Sequence, residues 1–88
     1  PMEEADATSD LEKAGTRLAR RCRLSPREIE VFFLLAKGRN RAYIREELVI
    51  GDETVKSHVK SIYRKTEVHS QQELIDLVQK KGREAGGG

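Results

Sequence analysis

Several residue types that commonly carry catalytic, metal-binding or cross-linking chemistry are scarce in this chain of 88 residues. It contains one cysteine, Cys22, and two histidines, His58 and His69. A single thiol excludes an internal disulfide, and no spacing of histidine and cysteine matches a metal site. No Ser/His/Asp set has a supporting fold, and every glycine is expected to mark a helix end or a tail rather than a phosphate-binding loop. We therefore expect no enzymatic activity, no metal and no cofactor.

Long apolar runs are also missing. The longest extends only from Val31 to Ala36, far short of the roughly 18–20 residues that cross a membrane. No signal-peptide pattern is present. The length allows one small domain with a single core. Together with the lone cysteine, these features predict a soluble, cytoplasmic domain that makes no membrane contact.

Charge is unevenly distributed although the net charge is only +2. Residues 3–12 hold five acids and no base, whereas residues 54–65 hold four bases and no acid. A local basic face can attract a polyanion even when the whole chain is nearly neutral. The distribution therefore directs attention to 54–65.

Helix start and stop signals recur along the chain, whereas strand signals do not. The stretch SPRE at 25–28 is a capping box with proline at the first helical position, and Gly38 is a natural left-handed residue after the helix. Asn40 can cap a second helix, and SQQE at 70–73 repeats the capping box. These signals predict an all-α fold with core helices at 26–37, 39–48, 52–65 and 71–80.

The segment before these helices has a helix signal of its own. SDLE at 9–12 matches a capping box, and apolar residues recur about every fourth position from Leu11 to Cys22. The segment is therefore an amphipathic helix over 10–22 or, alternatively, a frayed linker. The predicted organisation is a disordered segment at 1–8, the helix or linker at 9–23, a helical domain at 24–80 and a disordered tail at 81–88.

The second and third core helices are joined by about three or four residues, which makes a helix-turn-helix if they cross steeply. On a helical wheel, Val55, Val59 and Ile62 of the third helix face the core. The rest of its surface is polar or cationic and comprises Glu53, Thr54, Lys56, Ser57, His58, Lys60, Arg64 and Lys65. Such a helix fits a DNA groove, where the outermost side chains meet base edges and the shoulders meet phosphates. The charge pattern alone equally allows an ordinary solvated face.

Three stretches carry a family resemblance: LSPREIEVFFLLAKG, YIREEL and TVKSHVKSIYRK. In this order they resemble the LuxR-type (GerE/FixJ-type) helix-turn-helix domain from Leu24 to Val78. The resemblance implies a four-helix, sequence-specific DNA-binding output domain of a bacterial transcriptional or response regulator. It also implies a homodimer on double-stranded DNA, or a monomer as an isolated fragment, and a sensor or receiver domain elsewhere in the parent protein.

The resemblance also implies roles for individual residues. Base contacts are expected from Lys56, Ser57 and Lys60. Contacts to the DNA backbone are expected from Thr54, His58, Arg64, Lys65, Asn40 and Arg41. The last helix commonly supplies the dimer contact in this family, which here points to Leu77 and Glu73. A leucine at the edge of the core is the alternative for Leu77.

The sequence departs from the family pattern at several positions. Arg45 stands where a small alanine is usual, so it either adds a phosphate contact or indicates a looser helix crossing. Gly51 replaces a serine cap, at a cost of a few tenths of a kcal/mol. Glu53 either accepts from a cytosine amino group or favours the helix N-terminus while repelling phosphate. Thr66–Glu67 replaces Leu–Gly at the end of the third helix, which predicts a marginally stable domain.

Ile29 and Phe33 form an apolar pair at positions that are commonly polar in this family. We expect the 10–22 segment to cover them through Leu11, Leu18 and Cys22. Alternatively, another domain of the parent protein covers the pair. If the pair and the last helix instead held a partner protein, the chain would be a helical protein-interaction module that has lost DNA binding. This is the alternative function. A separate group, Arg20, Arg21 and Arg23, either adds phosphate affinity or is a solvated helix end.

Overall fold

The computed structural model describes the backbone of residues 2–87 and the side chains of residues 12–82. Over this part of the chain the fold contains helices and no strand. The helices are α1 (Met2–Arg21), α2 (Pro26–Ala36), α3 (Arg41–Leu48), α4 (Asp52–Thr66) and α5 (Gln71–Gly87). This confirms the all-α fold, with α1 as an N-terminal helix and not a frayed linker. None of these helices, over the same residues, has the length and apolar character needed to cross a bilayer.

Both terminal helices are longer than the capping signals predicted. Their backbones reach Met2 at one end and Gly87 at the other. No proline or glycine interrupts residues 2–14, so nothing local stops α1 at the predicted start. We expected disorder at 1–8 and 81–88, but the backbone is helical at 2–8 and 81–87. Pro1 and Gly88 lie outside the described residues, and mobility of the ends stays a prediction.

The core forms where the apolar faces of the helices meet. Six large side chains are fully buried there: Val31, Phe32, Ile44, Val55, Ile62 and Leu74. Val55 and Ile62 confirm the predicted inner face of α4, and Val59 beside them is half-buried. Since α4 contributes this face to the core, its opposite face must point outward.

Two of the predicted caps, at Ser25 and Asn40, are present. At SQQE the Ser70 hydroxyl accepts from the Glu73 N–H, but the Glu73 carboxylate accepts from the His69 N–H, so this capping box is only half formed, and SDLE at 9–12 lies inside α1. The hydroxyl of Ser25 accepts from the Glu28 N–H at 3.2 Å, and the Glu28 carboxylate accepts from the Ser25 N–H at 2.9 Å. Asn40 caps α3 through its side-chain oxygen, 2.8 Å from the Tyr43 nitrogen. Gly38 follows α2 with φ of 84°. These local bonds satisfy helix-end groups that would otherwise need water.

The N-terminal helix packs against Phe33, one residue of the apolar pair on α2, and both Ile29 and Phe33 are half-buried beside the core. Leu18 and Ala19 are buried, and Cys22 packs against the core. A Cβ atom added at Gly15 would lie 2.8 Å from Cε1 of Phe33. Gly15 is therefore a point of close approach inside a helix, and the expectation that every glycine marks an end or a tail is wrong here. The side chain of Leu11 lies outside the described residues. The largest contact of α1 is with α5, which the sequence did not indicate.

The third core helix, α4, ends with an unusual pair of residues, Thr66 and Glu67. Thr66 is buried, and its hydroxyl donates to the Ile62 carbonyl at 2.8 Å. Glu67 follows in the left-handed region, with φ of 60°. A threonine thus occupies a core position, and a residue with a Cβ takes a conformation that favours glycine. Both features agree with the predicted marginal stability, which remains a prediction.

Val49, in the turn between α3 and α4, is expected to be a point of strain. Its φ is 52°, and its side chain is 87% exposed. A left-handed conformation costs about 1–2 kcal/mol for a residue with a Cβ, and β-branching adds crowding. Val49→Gly should therefore raise the free energy of unfolding by about 0.5–1 kcal/mol, after the greater entropy of an unfolded glycine is subtracted. Thermal unfolding followed by circular dichroism measures this.

Val49→Ala is the control for this substitution. It removes the branch but keeps the Cβ, so its gain in melting temperature should be smaller than that of Val49→Gly. A lower melting temperature for Val49→Gly would show that the valine packs usefully in this turn.

Candidate nucleic-acid interface

The outer face of α4 is a polar and cationic surface. Glu53, Ser57, Lys60 and Arg64 are all exposed on this face, as is Thr54 on one shoulder. The fully buried Val55 and Ile62 hold the opposite side of the same helix. The small and cationic side chains therefore lie along one exposed line, while other residues of the same helix pack in the core.

The first turn of α4 holds an ion-pair network. Oδ2 of Asp52 lies 3.2 Å from Nζ of Lys56, and Oδ1 lies 3.5 Å from Nη1 of Arg45. Lys56 is also 3.8 Å from the Glu53 carboxylate. The hydrogen bond from Lys56 lowers the pKa of Asp52, and the nearby charges of Lys56, Arg45 and Arg41 act in the same direction. Lys56, a predicted base contact, therefore lies between two carboxylates in the free protein.

Arg45 answers a question that the sequence left open. Its guanidinium lies close to Asp52 across the turn and thus links α3 to α4. From the sequence we expected either a phosphate contact by Arg45 or a looser crossing, with no indication of Asp52 as its partner. The i, i+4 spacing of Asp52 and Lys56 was a usable signal for half of this network. The link to Arg45 depends on the helix crossing and had no local signal.

Lys65 is held by a buried carboxylate. Its Nζ lies 2.8 Å from Oε1 of Glu28 and 3.4 Å from the Arg23 carbonyl, and the Ser61 hydroxyl donates to Oε2 of Glu28. Glu28 is only 6% exposed. This cluster fastens the C-terminal half of α4 to the start of α2. The structure thus gives Lys65 a scaffold contact that the sequence analysis missed, and its phosphate contact stays a prediction.

The pKa of Glu28 reflects these opposing influences. Burial by itself raises the pKa, because it disfavours the charged carboxylate. Hydrogen bonds from Lys65, Ser61 and the Ser25 N–H outweigh burial, with the charge of Lys65 in support, and lower the pKa to about 2. The carboxylate is therefore ionised at neutral pH and accepts three hydrogen bonds, one from the Ser25 N–H at the start of α2 and two from Ser61 and Lys65 of α4.

The loop between α2 and α3 brings further polar groups together. The guanidinium of Arg39 lies 4.7 Å from the centre of the Tyr43 ring. The Gln71 amide donates to the carbonyls of Leu35 and Arg39, at 3.1 and 2.8 Å. Arg41 is exposed, whereas the side-chain oxygen of Asn40 is already used in capping α3. The loop is thereby fixed to the start of α5.

The two predicted dimer residues have internal contacts. Leu77 is half-buried and packs against the core. The Glu73 carboxylate accepts from the His69 N–H at 3.3 Å and lies 3.6 Å from Nδ1 of the same residue. These contacts are compatible with a core-edge leucine and a helix-capping glutamate. A dimer role for either residue stays a prediction.

Comparison with known proteins decides which family this arrangement belongs to. The sequence model described as "Bacterial regulatory proteins, luxR family" matches residues 23–78, which include α2 to α4 and the first half of α5. The chain belongs to the luxR family. This luxR-family chain is a DNA-binding output domain of a transcriptional regulator. Membership in a family of regulatory proteins also confirms that it is not an enzyme.

Three relatives illustrate the range of the luxR-family similarity. The HTH-type transcriptional activator RamA of Corynebacterium glutamicum is 32% identical over 85 residues, which is 90% of this chain and 30% of RamA. The oxygen regulatory protein NreC of Staphylococcus carnosus is 38% identical over 58 residues, 66% of this chain and 27% of NreC. The uncharacterized response regulatory protein YgeK of Escherichia coli is 34% identical over 73 residues, 83% of this chain and 50% of YgeK.

The matches differ in how much of this chain and of each relative they cover. The chain spans half or less of the length of these three relatives. The match to RamA leaves only about a tenth of this chain unmatched, so it extends into α1, beyond the luxR-family match that begins at residue 23. No solved structure matches the chain.

Proposed function

We propose that α4 enters the major groove of double-stranded DNA and reads its sequence there. The observation that carries this proposal is the exposed line of Ser57, Lys60 and Arg64 opposite the buried Val55 and Ile62. A major groove admits one α-helix, and lysine donates well to the acceptor atoms of guanine. The small Ser57 allows the helix backbone to approach the bases closely.

The remaining predicted contacts are distributed around this line. Thr54 and Arg64 are exposed and suit phosphate contacts on the groove walls, and His58 is half-buried beside them. Asn40 and Arg41 would contact phosphate from the loop before α3. Lys56 requires a rearrangement, because a base contact competes with its ion pairs to Asp52 and Glu53.

The assembly on DNA belongs to the same proposal. Two copies would bind two half-sites through α5, with Leu77 and Glu73 at the contact, whereas the isolated chain would be a weakly binding monomer. In the parent protein a sensor or receiver region would control this output domain in the cytoplasm.

The alternative function, a protein-interaction module, has lost its main support. It required Ile29 and Phe33 as an open apolar surface, but α1 packs over that side of α2, with Gly15 at Phe33. The observations therefore favour DNA binding over a function as a protein-interaction module.

Nitrogen-15 correlation spectra of the chain, titrated with a mixed-sequence duplex, test the proposal. Amides of Thr54, Lys56, Ser57 and Lys60 should shift first, and the shifts should reverse as salt is raised, because phosphate contacts release counterions. An absence of shifts at low salt, or shifts that ignore salt, would reject DNA binding by α4.

Glu53→Gln tests how the acidic first turn affects binding. The Glu53 side chain is 92% exposed on the outer face, so its charge should repel phosphate. We expect Glu53→Gln to tighten duplex binding about two- to fivefold at low salt, since one charge repulsion in water is removed. Fluorescence anisotropy with a labelled duplex measures the change.

Asp52→Asn is the matched comparison, because it removes the same charge one residue earlier. The Asp52 carboxylate is paired with Lys56 and Arg45, so this variant should also tighten binding, but by releasing Lys56 from its ion pair. Weaker binding by Glu53→Gln would instead show that Glu53 accepts from a base, as a cytosine amino group would provide.

A further inference from the structure

A second cationic surface lies outside α4. Residues 13–27 contain no acid and six bases: Lys13, Arg17, Arg20, Arg21, Arg23 and Arg27. Four of them, Arg17, Arg20, Arg21 and Arg23, form what we call the arginine stripe. The whole chain has a net charge of only +2, so this stretch concentrates positive charge far above the average.

The arginine stripe is not used to hold the fold together. All four side chains are exposed, and none forms an ion pair with a carboxylate among the residues whose side chains are described. On α1, Arg17 and Arg20 lie on the side away from Gly15 and Leu18, which pack inward, whereas Arg21 lies at the edge of that side and Arg23 in the turn that follows. Docking of α1 therefore leaves these guanidinium groups in solvent, free to bind an anion.

The stripe ends beside the C-terminal part of α4. The Arg23 carbonyl accepts a hydrogen bond from Nζ of Lys65 at 3.4 Å, and Lys65 directly follows the exposed Arg64. The buried Glu28 holds Lys65 in this position. The turn after α1 and the last turns of α4 are thus one connected region, and their cations add to the same local field.

The length of α4 and the width of the major groove indicate how the arginine stripe could reach DNA. A helix of 15 residues such as α4 is about 22 Å long, whereas the major groove is about 12 Å wide. If α4 crosses the groove obliquely, at least one of its ends lies against a groove wall, where phosphates line the duplex. A cationic turn at the C-terminal end is placed to meet them there.

We propose that the arginine stripe binds phosphates of the DNA backbone beside the groove that α4 occupies. This inference rests on the proposed function and extends the interface beyond the luxR-family match at 23–78. Arginine suits the ligand because its planar guanidinium donates two parallel hydrogen bonds to a phosphate. An acidic protein surface is also negatively charged and is the alternative ligand. The salt dependence of DNA binding tests whether the stripe contacts DNA phosphates.

The test compares Arg20→Gln, Arg21→Gln and the double variant with Gln79→Glu. Gln79 is exposed on α5, and its substitution lowers the net charge by the same unit as each single arginine variant. The slope of log affinity against log salt should fall by about 0.9 for each arginine and about 1.8 for the double variant. Gln79→Glu should leave the slope unchanged.

Two further measurements keep the outcome unambiguous. Arg20→Lys with Arg21→Lys should restore the slope, because lysine keeps the charge, and circular dichroism should show unchanged helix content in every variant. Equal slopes for the double variant and Gln79→Glu would overturn the stripe proposal. Failure of the unaltered chain to bind DNA in a salt-dependent way would overturn the proposed function itself.

Discussion

Glu28→Gln is expected to lower the free energy of unfolding by about 3 kcal/mol at neutral pH, a large part of the stability of a domain this small. Glu28 is buried and joins the Ser25 cap of α2 to Ser61 and Lys65 of α4. Glutamine has nearly the same shape but carries no charge, so the ionic attraction to Lys65 is lost. Chemical unfolding followed by circular dichroism measures the change.

Glu30→Gln provides a control in the same helix. Glu30 pairs with Arg27 at 2.7 Å, a distance similar to that of the Glu28–Lys65 pair, but both side chains are 51% exposed. Exposed pairs contribute roughly 0–1 kcal/mol, because water screens them. Glu30→Gln should therefore have little effect, and equal losses at the two positions would show that burial does not strengthen the Glu28 contact.

The same carboxylate predicts the acid sensitivity of the fold. The pKa of Glu28 is about 2 in the folded chain, against an ordinary value of 4.5. A lowered pKa contributes stability that is fully present above the ordinary value and is lost as pH falls towards the folded value. The unaltered chain should therefore lose about 3 kcal/mol between pH 4.5 and 2 from this group alone.

Glu28→Gln removes this titrating group, so its free energy of unfolding should vary less over the same interval of pH. Unfolding measured at pH 7, 4.5 and 2.5 compares the two chains. Parallel pH profiles would contradict the assignment, whereas convergence of the two profiles at low pH supports it.

Lys60→Gln is expected to weaken duplex binding about tenfold without destabilising the fold. Lys60 is exposed on the outer face of α4 and has no ion-pair partner among the described side chains. Its loss therefore removes only an external contact, and a good bidentate contact to a base discriminates against the wrong base by about 1–3 kcal/mol. Anisotropy titrations at fixed low salt measure the affinity, and thermal unfolding checks the fold.

Gln79→Glu lowers the net charge by the same unit on the exposed side of α5. It should change the affinity less than twofold, because it lies away from the proposed groove face and salt screens distant charges. Similar losses for the two variants would mean that overall charge, rather than the position of Lys60, governs binding.

Much of the fold could be predicted from local signals. The Ser25 and Asn40 caps and the inner face of α4 are decided by neighbours within one or two helical turns. A side-chain oxygen that reaches the third N–H, or an apolar residue on every helical turn, acts over a few ångströms along the chain. The order of helices and the exposed line on α4 follow from the same short-range rules.

The missed tertiary contacts all join residues of different helices. Glu28 and Lys65 are separated by 37 positions, and neither residue's neighbours indicate the other. Arg45 meets Asp52 only because α3 and α4 cross at a particular angle. Gly15 looked like a helix end, but its lack of a side chain serves the close approach to Phe33.

Local sequence was therefore sufficient for the helices, their caps and the cationic character of α4, because hydrogen bonds and periodicity within a helix need no partner element. Tertiary packing decided which of those cations remain available. It placed Lys65 against a buried carboxylate, brought Arg45 to the Asp52 that also pairs with Lys56, and left Lys60 and the arginine stripe in solvent. The reason is that an ionic contact depends on distance in space, and only the packed helices bring opposite charges from different segments within reach.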